Sequence, residues 1–173
     1  NPFQLAVEKA AAQAAEESKG EQLYATHCSA CHGDQGAGDG DAARYLFPRP
    51  RSLRAEPTRL VSTRNGIPSP NDLHNIIQLG LPGTSMVPLP ELAEPDVQRL
   101  VEIVMQMRRE GIREEYIALL EADDEPVDER DVQEVLEIRC TPGEPVELPE
   151  IAPPNPQSLA RGKLIYVQQV CHS

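Results

Sequence analysis

The 173-residue sequence predicts a helical fold, and three observations carry that reading. Val97, Leu100, Val101, Val104 and Met105 recur at i, i+3, i+4, i+7 and i+8, the apolar stripe of an amphipathic helix. Ser69-Pro70-Asn71-Asp72 has the form of a helix start, with Ser69 as N-cap, Pro70 at the first position and Asp72 completing a capping box. In Cys28-Ser29-Ala30-Cys31-His32-Gly33 two thiols and an imidazole fall on one helical turn and face the same way.

The last of these organises the rest of the chain. With a C-x-x-C-H spacing both thiols can add to the two vinyl groups of one porphyrin while His32 reaches the iron, so the run reads as the attachment site of a c-type haem. The alternatives are a C-x-x-C redox pair, which should sit in a βαβ pattern, and half a zinc site, which usually needs a second ligand pair. No complete second pair is present. Composition agrees with the haem: aromatics are 3% and Trp is absent, so a core of side chains alone would be thin, and a buried macrocycle would fill it.

Formal charge is −12, unevenly placed. Residues 91–150 carry net −13, whereas 41–90 carry net +3. Such a chain is a poor ligand for nucleic acid or anionic lipid and a reasonable one for a basic protein surface. No run approaches the ~18–20 apolar residues of a membrane helix. The first residue is Asn1, so a leader or anchor removed from the chain is compatible with the sequence. Thioether attachment belongs to oxidising compartments, which predicts the periplasm or an equivalent lumen, with membrane association through a partner or anchor. Cys140 and Cys171 are left over, to pair, stay free or belong to something incomplete.

Taken in order, residues 1–17 read as a helical extension, with Leu5, Val7, Ala11 and Ala15 on a weak apolar face and a break at Gly20. A second helix from Gly20 to His32 brings Leu23 and Tyr24 into the cysteine pair. Residues 33–47 hold Gly33, Gly36, Gly38 and Gly40 among aspartates, a loop able to wind backbone around a flat group. In Phe47-Pro48-Arg49-Pro50-Arg51-Ser52-Leu53-Arg54, Arg49, Arg51 and Arg54 are candidate partners for haem propionates. The capped helix carries Leu73, Ile76 and Ile77 on one face and ends at Gly80. Leu81 to Pro90 is then a proline-stiffened loop with Met86 at its middle, and the amphipathic helix starts at Pro95-Asp96.

Beyond Gly111 the character changes. Residues 111–158 read as an acidic, Pro-rich arm or linker containing short helices over Ile112–Leu120 and Asp131–Ile138, the latter also compatible with a β-segment. With few large apolar side chains, this arm is expected to stay mobile until it is ordered on a partner. Residues 159–173 repeat the first approach to the cysteines: Gly162, Tyr166 and Cys171 echo Gly20, Tyr24 and Cys28 with one extra residue before the cysteine. They read as the incomplete beginning of a second haem domain, with a second haem expected beyond Ser173.

His32 supplies one axial bond, and its other ring nitrogen is expected on a backbone carbonyl, with Pro48 and Pro50 the nearest rigid candidates. On the opposite face the candidates are Met86, Met105, Met107, His27 and His74. Met86 is preferred because its loop cannot collapse. Met105 and Met107 read as core, His74 as a surface residue, and His27 points the wrong way. A Met/His pair raises the potential and fills both axial positions, which suits an electron carrier and leaves no site for substrate.

The C-x-x-C-H-G run, the glycine loop, the Pro-Arg segment and Gly83-Thr84-Ser85-Met86 ahead of an amphipathic helix resemble the class I cytochrome c family over roughly residues 18–110. The resemblance implies a small all-α fold around one covalent haem, followed here by an acidic, Pro-rich extension. It implies Cys28 and Cys31 as thioether sites and His32 and Met86 as axial ligands. The C-terminal repeat is similar to the start of a second domain in di-haem cytochromes c, which serve in respiratory or other membrane-associated redox complexes. Electron transfer to protein partners is therefore expected. The alternatives are a di-haem peroxidase-type enzyme, which would bind CO or peroxide at an open iron, and an interaction subunit that uses the acidic arm.

Overall fold

In the computed structural model, which describes residues 2–150 and 153–169, the helices are α1 (Pro2–His27), α2 (Ser29–His32), α3 (Pro70–Leu79), α4 (Glu94–Ala122), α5 (Glu129–Cys140) and α6 (Pro156–Gln168), with a 3-10 turn at Ala43–Tyr45. Among the described residues β-pairing is confined to one isolated antiparallel bridge, Thr63 with Pro145.

The stripe on α4 is the spine. Val97, Leu100 and Val101 are buried against Tyr24 of α1 and Leu73 and Ile77 of α3. A fully buried Leu or Val of this kind contributes about 1.5–3 kcal/mol of hydrophobic stabilisation. Gly20 does not break α1. It lies where α1 crosses α4, and a Cβ there would come 3.1 Å from Cγ1 of Ile103, so the glycine lets the helices approach while the helix runs on to His27. Lys19 to Asp96 at 2.7 Å, and Arg99 with both Glu16 and Asp96, flank the crossing. Ala15 is exposed, and the side chains of Leu5, Val7 and Ala11 lie outside the described residues.

α3 starts as its sequence specifies. The Ser69 hydroxyl accepts from the Asp72 amide at 3.1 Å and the Asp72 carboxylate accepts from the Ser69 amide at 2.9 Å. Gly80 ends it with φ +67°.

The arm departs from expectation. α4 continues through Gly111, so residues 112–120 form its second half, and Glu129–Cys140 is a helix started by Asp128, whose side chain accepts from the Arg130 amide. The stripe simply turns its later members toward a different neighbour: Ile112 is buried with Val132 and Leu136 of α5, and Ala55, Tyr116, Ile117 and Val135 pack around them. Beyond α5 the chain is tied back to the domain, with the Arg64 amide donating to Glu144 at 2.9 Å, the Val146 amide to Ser62 at 2.7 Å, and Asn65 bonded to Thr141 and Gly143. Residues 111–146 are thus ordered on the protein's own surface. Ile112, Val132 and Leu136 are the buried centre of this cluster, and Ala55 brings a loop from outside the helix pair against it.

α6 has a complete capping box, Asn155 with Ser158, and Pro156 in its first turn. It packs against no other helix among the described residues. Cys140 is a free, half-buried thiol, and Cys171 lies outside the described residues.

Candidate covalent haem site

Cys28 sits at the joint between α1 and α2. Its amide still closes the last turn of α1 on Tyr24 at 2.8 Å, while its carbonyl accepts from Cys31 at 3.1 Å and His32 at 2.9 Å. These bonds hold the two cysteines and the histidine on one tight turn. Both thiols are free and half-buried, and burial pushes the Cys28 thiol up to about 11.

Burial lowers the His32 pKa from its ordinary value, opposed by a hydrogen bond to the backbone of Arg51. Nδ1 lies 3.0 Å from the Arg51 carbonyl. Donation from Nδ1–H to that oxygen leaves Nε2 as the unprotonated nitrogen, the arrangement a metal-ligating imidazole requires. The carbonyl is therefore that of Arg51, next to Pro50 but neither of the two expected prolines. A backbone oxygen has no side-chain signature, and the loop settles which one arrives.

The glycine loop positions that carbonyl. Gly33, Gly36 and Gly38 all have positive φ, and the Gly38 amide donates to His32 at 2.7 Å. The buried Tyr24 hydroxyl donates to Gly33 at 2.8 Å, and the Leu53 amide donates to Gly36 at 2.7 Å. The Arg51–Glu56 segment is tied to α4 as well. A Cβ on Gly111 would meet Arg54, 2.8 Å from its Cα, and Arg108 donates to the Glu56 carbonyl at 3.1 Å.

The three candidate arginines occupy different settings. Arg49 is exposed. Arg51 donates to the Pro57 carbonyl at 3.0 Å and lies 3.7 Å from Glu56. Arg54, only 15% exposed, bonds the Gln35 carbonyl at 3.1 Å and Glu114 at 2.5 Å. Sequence reasoning did not foresee that acid, which lies on the part of α4 read as arm.

Met86 is half-buried in the loop between α3 and α4. The turn is held by the Leu81 amide on the Met86 carbonyl at 3.0 Å, by the Thr84 hydroxyl on Leu81 at 2.8 Å, and by the Met86 amide on that hydroxyl at 3.1 Å. Among the other candidates, Met105 and Met107 pack on the rim of the core, His27 is exposed, and His74 lies 2.9 Å from Glu94. No three His, Cys, Asp or Glu side chains come together to hold a metal ion among the described residues, so the zinc alternative has no ligand set there.

The donor set suits a haem: two adjacent free thiols, an imidazole oriented through Nδ1, and a thioether on a separate loop. Tyr45 of the 3-10 turn, Phe47, Leu79 at the end of α3 and Val87 beside Met86 are large, exposed apolar side chains chemically suited to an apolar ring.

Among solved structures, the chain is similar to one from the Kuenenia stuttgartiensis reducing HAO-like protein complex Kustc0457/Kustc0458, at 24% identity and a TM-score of 0.65. The likeness covers 87% of this chain and 57% of that one, so this chain spans a little over half the length of its neighbour. No curated protein matches. The cytochrome c family model matches residues 17–108, the stretch from the α1–α4 crossing through the cysteine pair to the end of the stripe, and the chain belongs to the cytochrome c family, whose cofactor is covalent haem c.

Proposed function

We propose that this protein transfers electrons through one low-spin haem, bound by thioethers to Cys28 and Cys31 and ligated by His32 and Met86. The observation that carries the reading is the His32–Arg51 bond: it fixes tautomer and ring direction on the residue that closes the C-x-x-C-H turn. When bound, the haem supplies a one-electron couple. The chain's own groups do the rest. The Arg51 carbonyl would make the imidazole a better donor, and Met86 would bring a soft sulfur that favours the ferrous state, so that His32 and Met86 together would leave the iron to electron transfer. Arg49, Arg51 and Arg54 are the proposed propionate partners, and of the three Arg49 is the exposed residue.

The compartment follows from the chemistry of attachment, which points to the periplasm or an equivalent lumen. Among the described residues no helix is long and apolar enough to cross a membrane. The neighbouring structure is part of a protein complex, which supports membership of a redox assembly, and the acidic second half of the chain suits a basic partner.

The test is the weak sulfur-to-iron band in the far red. Oxidised protein should show it, Met105→Ala should keep it, and Met86→Ala should abolish it. The reverse pattern would replace Met86 by Met105. Rapid CO binding to the reduced wild type would favour the peroxidase-type alternative.

A further inference from the structure

The segment that follows the Arg51 carbonyl is gripped from two sides. Toward the cysteine turn, the Leu53 amide donates to the Gly36 carbonyl at 2.7 Å and the Arg54 guanidinium donates to the Gln35 carbonyl at 3.1 Å. Toward the second half of α4, Arg108 donates to the Glu56 carbonyl at 3.1 Å, Gly111 lies against the Arg54 backbone, and Glu114 pairs with the Arg54 guanidinium. Arg108, Gly111 and Ile112 are three and four residues apart, so one face of the helix meets residues 54–56 in succession.

The contact at Gly111 is backbone on backbone. A Cβ there would come 2.8 Å from the Arg54 Cα, and no flexible side chain stands between the helix and the segment to absorb a movement of either. Glycine is less favourable than alanine inside a helix, and what it provides at this position is the close approach.

α5 backs the same face. Ile112 and Val132 are 0% exposed and Leu136 is 2% exposed, and Ala55, the residue after Arg54, packs on the cluster they form. Close-packed interiors of this kind transmit displacement instead of absorbing it. The path from Leu136 through Ile112 and Ala55 ends at Arg51, whose carbonyl lies 3.0 Å from Nδ1 of His32.

We infer that the α4–α5 hairpin is a positioning device for His32: through residues 54–56 it sets how closely the Arg51 carbonyl approaches Nδ1, and so tunes the potential of the iron. Leu136 is its positioning residue on α5. The inference rests on the reading of His32 as an axial ligand. A carbonyl held close draws the Nδ1–H proton toward itself, gives the imidazole more anionic character and favours ferric iron. A carbonyl that recedes has the opposite effect and raises the midpoint.

The experiment uses the haem-loaded full chain with Leu136→Ala and Leu136→Val. The first opens a cavity behind Ile112, and the second removes a single methylene and keeps α5 folded. Proton NMR of the reduced protein reads the His32 Nδ1–H resonance, and potentiometric titration reads the midpoint, both at a temperature where circular dichroism shows each variant folded. The resonance should move upfield and the midpoint should rise, more in Leu136→Ala than in Leu136→Val. The far-red band should survive in both, and raising the salt concentration should leave the shifts in place, because neither substitution changes a charge. A lowered melting temperature with the resonance and the midpoint at their wild-type values would make α5 a packing element alone and overturn the inference, as would a midpoint that falls. A wild-type haem whose EPR spectrum shows no histidine ligand would instead defeat the reading of His32, a result distinct from any the variants give.

Discussion

The two segments proposed to hold the iron are built on different plans. His32 ends a helical turn, its ring is held by the Arg51 carbonyl, and the segment behind that carbonyl is bonded to Gly36, Gln35 and Glu114 and packed on Gly111. Met86 hangs between α3 and α4 on a turn whose hydrogen bonds are local and run among Leu81, Thr84 and Met86. One ligand is fixed by contacts that span the chain, the other by a short loop between two firm ends. The proposed Met86–iron bond should therefore be the weaker joint, giving way to heat, acid or mutation while the imidazole stays in place.

The largest effect should come from breaking the weaker joint outright. Met86→Ala should lower the midpoint potential by on the order of 0.1 V, because the soft sulfur that favours ferrous iron is gone. Potentiometric titration reads the shift. An unchanged midpoint would mean that Met86 is not a ligand.

Gly111→Ala strikes the firmer side. The new Cβ would run into Arg54, and overpacking of this kind costs about 1–3 kcal/mol. Arg54 lies three residues beyond Arg51, so the imidazole should be re-aimed: the EPR g-values and the midpoint should move while the far-red band survives. A loss of stability with both signatures unmoved would make Gly111 a packing residue alone.

The sequence makes the comparison only half visible, and the reasons are physical. The C-x-x-C-H run, the α4 stripe and the Ser69 cap are local patterns, and the structure realises each of them. What failed to show were events between distant residues. Gly20 and Gly111 look like helix breakers in a window of ten residues, but each is a contact point, one for Ile103 and the other for Arg54. Glu114 reads as one more acid in an acidic arm until the fold brings it to Arg54. The Arg51 carbonyl has no signature at all, since every residue carries one. Residues 111–158 read as mobile from composition, which counts apolar residues but not the loop at Ala55 that packs on the cluster of Ile112, Val132 and Leu136.

Thr84→Val probes the local turn. It removes the hydroxyl that donates to Leu81 and accepts from Met86 while keeping the branched shape. A loss of about 0.5–1.5 kcal/mol is expected. It should appear first in the far-red band, which should fade at a lower temperature than in wild type, while helicity melts nearly unchanged. Equal displacement of both transitions would show that the methionine turn is not a separate weak joint.

The smallest effect concerns acid and the far end of α3, which carries the Met86 loop. Burial acts to raise the Asp72 pKa, but hydrogen bonds from Ser69 and Ser62 outweigh it, and the carboxyl is held below its ordinary value. A depressed folded pKa stabilises the native state above the unfolded value of about 3.9 and loses that contribution as pH falls through the folded value. Asp72 is partly exposed, and solvent screening keeps the contribution small. It is nevertheless placed where it matters: Asp72 ties the Ser69 cap to Ser62, and α3 then delivers Gly80 and the methionine turn. The Arg51 carbonyl on the His32 side is not part of this network. Asp72→Asn should therefore weaken the far-red band's resistance to urea between pH 5 and 7 relative to wild type, and the difference should shrink as pH falls through the depressed folded value, where the wild-type carboxyl also becomes neutral. Urea titrations at several pH values, read at the far-red band and at the Soret band, measure both sides at once. A wild-type advantage that persists undiminished at low pH would remove Asp72 ionisation as the cause, and an equal loss at both bands would mean that α3 does not act selectively on the methionine side.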